Sequence, residues 1–119
     1  MSILNYVNLA AESLDTRKTK RILIVDDEPR LRTGYLELLN CEGRVVEECA
    51  TGVEAQARLG KRDIDVVVLD LNLPDIGGIE IMQWMKLNHL NTSVVIFSAD
   101  ESITSAILAL RQGAFEFIR

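Results

Sequence analysis

Two short apolar runs end abruptly in acids: Arg21-Ile-Leu-Ile-Val-Asp-Asp27 and Val66-Val-Val-Leu-Asp70. Runs this rich in β-branched residues read as buried strands, and strands covered on both faces belong to parallel sheets. Their acids then fall at the carboxyl ends of strands, where open α/β sheets bind ligands. Carboxylates gathered there repel one another by about 1 kcal/mol per pair at about 4 Å in water, and about 4 kcal/mol at an effective dielectric of about 20. A divalent cation removes that repulsion, and an all-oxygen donor set favours Mg²⁺. The chemistry expected of Asp26, Asp27 and Asp70 is therefore metal-assisted work on a phosphate.

The elements that must position these acids follow from Arg21 onward. A strand at about Arg21 to Asp26 leads to a helix from about Pro29 to Asn40, with Leu31, Tyr35, Leu38 and Leu39 on one face. Pro29 suits a first helical position, where its missing N–H would be unpaired anyway. Gly43 ends that unit, and Arg44 to Cys49 reads as a more polar edge strand. Thr51 is placed to cap a short helix containing Val53, Ala57 and Leu59, with Gly60 near its end. Ile64 to Asp70 is the most apolar strand and hence central. Leu71-Asn-Leu-Pro-Asp-Ile-Gly-Gly78 is a loop by its Pro and Gly content. A helix over Ile79 to Leu87 follows, with Ile79, Met82 and Met85 or Lys86 at helical spacing. Then come a strand over Thr92 to Ser98, a helix with Ile103, Ala106, Ile107 and Leu110 on one face, and a strand over Ala114 to Ile118. Strands alternating with helices imply right-handed crossovers and a parallel sheet.

At 119 residues the chain fits one domain. A formal net charge of −5 argues against nucleic acid as a direct partner. No apolar run approaches the roughly 20 residues that span a bilayer, and Met1 to Leu14 lacks the basic start and apolar core of a secretory signal. Cys41 and Cys49 have no metal-binding spacing and are expected to be reduced packing residues in a cytoplasmic protein. Residues 1–20 stand apart as a leader. Ile3, Tyr6, Val7, Ala10, Ala11 and Leu14 form an amphipathic helical stripe, followed by the polar run Asp15-Thr-Arg-Lys-Thr-Lys20. The leader is either a frayed tail or a helix over residues 3 to 14 that docks on something.

Five elements in order resemble one family: Asp26-Asp27, Asp70, Leu73-Pro74-Asp75 with Gly77-Gly78, Ser98-Ala99, and Gly113-Ala114-Phe115-Glu116-Phe117. Together they are similar to the receiver domain of bacterial two-component response regulators, over residues 21–119. That resemblance implies a flavodoxin-like, doubly wound sheet of five parallel strands in the order 2-1-3-4-5, the order for which a receiver protein is itself a standard example. It implies that Asp70 accepts a phosphoryl group from a histidine kinase or phosphotransfer protein. Asp27 and Asp70 would bind Mg²⁺ directly, Asp26 through water, and Asn72 through its backbone carbonyl. Ser98 resembles the switch hydroxyl and Phe117 the aromatic that follows it. An output domain is expected beyond Arg119, and no catalysis on other molecules is implied.

The family places a Lys three residues after its aromatic and a fifth helix after that; this sequence stops at Arg119, so the domain is expected to lack its final helix. The stripe in the leader is then expected to pack on the vacated face or against a second chain in a homodimer. Two alternatives compete. Asp70-Leu-Asn72 partly mimics a haloacid-dehalogenase-like phosphatase, but Asn72 cannot supply the proton that the second acid gives in that family. The second alternative is a receiver fold kept only for dimerisation. His89 reads as an exposed loop residue, Trp84 as packing, and Glu28 as a solvated or outer-shell acid.

Overall fold

The computed structural model of the protein describes residues 3–12, 19–97, 108, 111, 113 and 116–118. In chain order the elements are α1 (Ile3–Glu12), β1 (Lys20–Val25), α2 (Pro29–Leu39), β2 (Arg44–Cys49), α3 (Gly52–Leu59), β3 (Val66–Asp70), α4 (Gly78–Leu87), β4 (Ser93–Phe97) and β5 (Glu116–Ile118). The five strands form one parallel sheet in the order β2-β1-β3-β4-β5. That is the expected topology, with β3 central and the polar β2 at an edge.

Strand periodicity sorts the core into two layers. On one face Leu23, Val25, Val67, Leu69, Val94 and Ile96 pack with Ala55 and Leu59 of α3 and with Ile81, Met82 and Met85 of α4. On the other, Ile22, Ile24, Val66, Val68, Val95 and Phe97 meet Leu39 of α2 and Ile3, Val7, Ala10 and Ala11 of α1. Residues Ile3–Glu12 of the leader form a helix docked on the same face as α2, and Leu14 of the expected stripe lies outside the described residues. Val7 and Ala10 are fully buried. Arg44, at the start of β2, bonds the Asn8 side chain and ties α1 to the sheet edge.

This sharing of one face corrects the expected apolar stripe of α2. Leu31 and Leu38 are 47% and 45% exposed, whereas Leu39 is buried and Tyr35 and Leu36 pack beside it. With α1 against β3 and β4, α2 is left to cover β1 and β2, and a narrower strip of it reaches the core. In α3, likewise, Val53 is exposed and the inward positions are Gly52, Ala55 and Leu59.

Caps close the helices as local chemistry requires. Thr51 Oγ1 accepts from the Glu54 N–H at 3.2 Å, and Pro29 opens α2. Glu28, read from sequence as a solvated or metal-side acid, is instead the N-cap of α2 and accepts from the Arg30 N–H at 3.1 Å. His89 is exposed and sits just past α4 at φ 54°, in the left-handed region. A glycine there relieves strain, so His89→Gly is expected to stabilise the fold by about 0.5–1 kcal/mol, read as a higher denaturation midpoint at unchanged slope. Ile103, Ala106, Ile107 and Leu110 of the expected helix and the strand end at Ser98-Ala99 lie outside the described residues, while Leu108 is helical and exposed.

Candidate functional site

The pairing of β1 with β3 assembles the acids. Ile22 lies opposite Val66 and Ile24 opposite Val68, so two residues further on Asp26 comes level with Asp70. Asp27 follows in the turn before α2. One carboxylate oxygen from each of Asp26, Asp27 and Asp70 lies within 4.8 Å of the others. Asp26 is buried, Asp27 exposed and Asp70 half-buried.

Each buried acid is held by backbone groups. Asp26 Oδ1 accepts from the Glu28 N–H at 2.9 Å, and Asp70 Oδ1 accepts from the Asn72 N–H at 3.0 Å. Asp26 Oδ2 is buried and has no partner among the described residues. A buried carboxylate oxygen left bare costs free energy unless something meets it. Burial raises the Asp26 pKa, the Glu28 N–H pulls it back, and Asp70 and Asp27 push it up again while Arg32 lowers it. Burial likewise raises Asp70, countered by the Asn72 N–H and reinforced by Asp27. An oxygen-only cluster with crowded charge and one bare buried oxygen fits a hard divalent cation.

The loop after β3 is braced at several points. The Gly78 N–H donates to the Leu71 carbonyl at 3.0 Å. A Cβ on Gly78 would stand 2.8 Å from both the Asp70 carbonyl oxygen and Leu71 Cα, so only glycine lets α4 start this close to the acid. Asp75 reaches across to α3 and accepts from the Gly52 and Val53 N–H groups at 2.8 and 2.9 Å, which holds its carboxyl below the usual range. Gly78→Ala is expected to destabilise the domain by about 1–3 kcal/mol, because backbone must move to admit the methyl. Urea denaturation followed by circular dichroism measures this, and an unchanged midpoint would show that the loop yields freely.

Other residues singled out in the sequence are placed more loosely. Asn72 is exposed beside Asp70, its N–H already engaged there. Phe117 lies on β5 with its backbone opposite Ile96, and Ser98 is outside the described residues. The structure adds Arg32, which the sequence did not flag, and Tyr35, which it flagged only as part of the apolar face of α2. Arg32 Nη1 donates to the Asp26 carbonyl at 2.7 Å. The Tyr35 ring meets Phe97, the partner of Asp70 on β4, edge-on at 5.2 Å, and its phenol pKa is raised by burial, then by Asp26 and Asp70. Helical spacing marks both as α2 residues, but nothing local shows that they lean over the acids.

A doubly wound parallel sheet with three acids at the ends of its two central neighbouring strands defines a phosphate-handling signalling fold. Residues 22–119 match the family described as the response regulator receiver domain, and the chain belongs to that family. It is 36% identical over 98 residues to the transcriptional regulatory protein TrcR of Mycobacterium tuberculosis, covering 82% of this chain and 38% of that one. It is 30% identical over 103 residues to the nitrate/nitrite response regulator protein NarL of Escherichia coli, covering 85% of this chain and 48% of NarL. The chain thus spans less than half the length of these curated relatives. Among solved structures, the receiver domain of a LuxO repressor protein from Vibrio parahaemolyticus superposes with a TM-score of 0.79 at 29% identity, covering 83% of this chain and 76% of that one. No helix among the described residues is long and apolar enough to cross a membrane.

Proposed function

We propose that Asp70 is a phospho-acceptor, taking its phosphoryl group from a phosphohistidine of a histidine kinase or phosphotransfer protein, or from a small acyl phosphate. The observation that carries this is the convergence of Asp26, Asp27 and Asp70 with one buried Asp26 oxygen unpartnered. Asp27, Asp70 and the Asn72 carbonyl would hold a Mg²⁺ ion directly and Asp26 would hold it through water; when bound, it would neutralise charge between the attacking carboxylate and the phosphoryl oxygens. Asp70 Oδ1 is held by the Asn72 N–H, which leaves Oδ2 to attack. A bond forms from Oδ2 to phosphorus as the bond from phosphorus to the donor nitrogen breaks; the electron pair stays on the imidazole. Ser98 then donates a hydrogen bond to the phosphoryl group, and Phe117 moves with it.

The chain acts on itself rather than as an enzyme on other molecules, and it works in the cytoplasm. Its output lies in a further domain carboxyl-terminal to Arg119 or in a partner, which includes a second copy of the chain; neither nucleic acid nor membrane is its direct ligand. The names of TrcR and NarL make gene regulation the favoured output. The test is incubation with a small acyl phosphate and Mg²⁺, followed by mass spectrometry. One phosphoryl group is expected on Asp70, none after chelation and none in Asp70→Asn. Labelling that persists in Asp70→Asn would place the acceptor elsewhere.

A further inference from the structure

Asp26 is the most firmly held member of the acidic cluster. Its N–H donates to the Cys49 carbonyl at 3.2 Å, its Oδ1 accepts from the Glu28 N–H, and its carbonyl accepts from Arg32 Nη1 at 2.7 Å. Among the described residues, Oδ2 is left without a partner, and it is buried. Of these restraints, the one from Arg32 is the least expected. Backbone groups at a strand end are ordinarily met by other backbone or by water, whereas here a guanidinium only 15% exposed does the work. Burying that charge is costly unless it is compensated. The compensation comes from Glu48 on β2, whose Oε1 lies 3.5 Å from Arg32 Nε, although Nε itself makes no hydrogen bond. One side chain from α2 therefore spans the end of β1 and the edge strand β2, directly under the acids.

We propose that Arg32 is a positioning residue for the cation site. By holding the Asp26 carbonyl and leaning on Glu48, it fixes the turn between β1 and α2 so that Asp26 Oδ2 and the Asp27 carboxylate face Asp70. This inference rests on the cluster being the Mg²⁺ site. Two effects of Arg32 oppose each other, and they give opposite signs. Its positive charge repels an incoming cation, so if charge dominated, removing it would tighten binding. Glu48, 3.5 Å from Arg32 Nε, offsets part of that charge, and under the proposed role geometry controls, so that removing Arg32 weakens binding.

The experiment is a Mg²⁺ titration of the whole chain, followed by amide NMR shifts of Asp27, Asp70 and Asn72, for wild type, Arg32→Ala, Arg32→Lys and Asp27→Asn. Shifts in β2 and α4 confirm folding in each. Arg32→Ala is expected to weaken Mg²⁺ by about ten-fold or more, the usual scale for losing a group that orients a metal ligand. Arg32→Lys should recover part of this, since an ammonium can hold the Asp26 carbonyl but not Glu48 as well. If Arg32→Ala does not fold, the several-fold weakening expected in Arg32→Lys decides alone. Unchanged or tighter binding in the Arg32 variants, with binding lost in Asp27→Asn, overturns the role of Arg32 and leaves the cluster intact. Wild-type affinity in Asp27→Asn as well overturns both, because the acids would then not be the site.

Discussion

A chain lacking residues 1–18 is expected to melt far below the full-length protein, or to change its oligomeric state. The reason lies in what α1 covers. Ile3, Val7, Ala10 and Ala11 are buried over β3 and β4, in the layer that holds Val66, Val68, Val95 and Phe97. Burying one Val or Ile side chain is worth about 1.5–3 kcal/mol, and removing the helix also returns the sheet face beneath it to water. The loss is several kcal/mol, a large part of the roughly 5–15 kcal/mol that holds a small domain together. Val7→Asp, which puts an unpaired charge at a fully buried position, should reproduce most of the loss without shortening the chain. Melting curves and sedimentation velocity read the two effects separately. If the exposed face recruits a second copy, the deletion variant sediments as a dimer whose melting temperature rises with concentration. A deletion variant with the melting temperature and sedimentation of the full chain would reduce α1 to a dispensable tail.

The sheet was readable from sequence because its inner strands are short V/I/L runs with abrupt ends: Lys20–Val25 and Val66–Asp70 both run into acids, while Gly43 marks the start of the more polar Arg44–Cys49. The acids themselves were readable for the same reason, since a carboxylate ending an apolar run has only the strand's carboxyl end to occupy. Helix faces were less so. The period of α2 admits a stripe through Leu31 and Leu38 as well as one through Tyr35, Leu36 and Leu39. Only the presence of α1 on the same sheet face decides between them. The supports of the site were not visible at all. Arg32 acts six residues from the carbonyl it holds, and Asp75 reaches across 23 residues to the start of α3. Such contacts are set by how layers stack, and no periodicity or local motif encodes them. Gly78 was flagged as a turn residue, but the reason it must be glycine, the close approach of the Asp70 backbone, is tertiary.

Asp70→Asn is expected to make the protein more stable, not less, in metal-free buffer at neutral pH. Burial raises the pKa of both Asp70 and Asp26 above the ordinary 3.8, and the neighbouring acids add to it. The native state therefore holds its protons more tightly than the unfolded chain does. Stability from such a group is fully present below the unfolded pKa and is lost as the pH rises through the folded one. At neutral pH the ionised carboxylates are thus a standing cost, of the kind a functional site carries if the proposed phosphoryl chemistry holds. An asparagine keeps an oxygen to accept from the Asn72 N–H while removing the charge, and it relieves Asp26 of one repelling neighbour. The gain in melting temperature should be largest near pH 7 and fade as the pH falls through the raised native pKa values toward the unfolded value of 3.8. Mg²⁺ should reverse the order, raising the melting temperature of wild type by mass action while moving the variant little. Thermal melts of both proteins across pH, with chelator and with Mg²⁺, make the comparison. If Asp70→Asn proved less stable than wild type in chelator at pH 7, charge crowding would not be what strains this site, and the bare Asp26 oxygen would need another explanation.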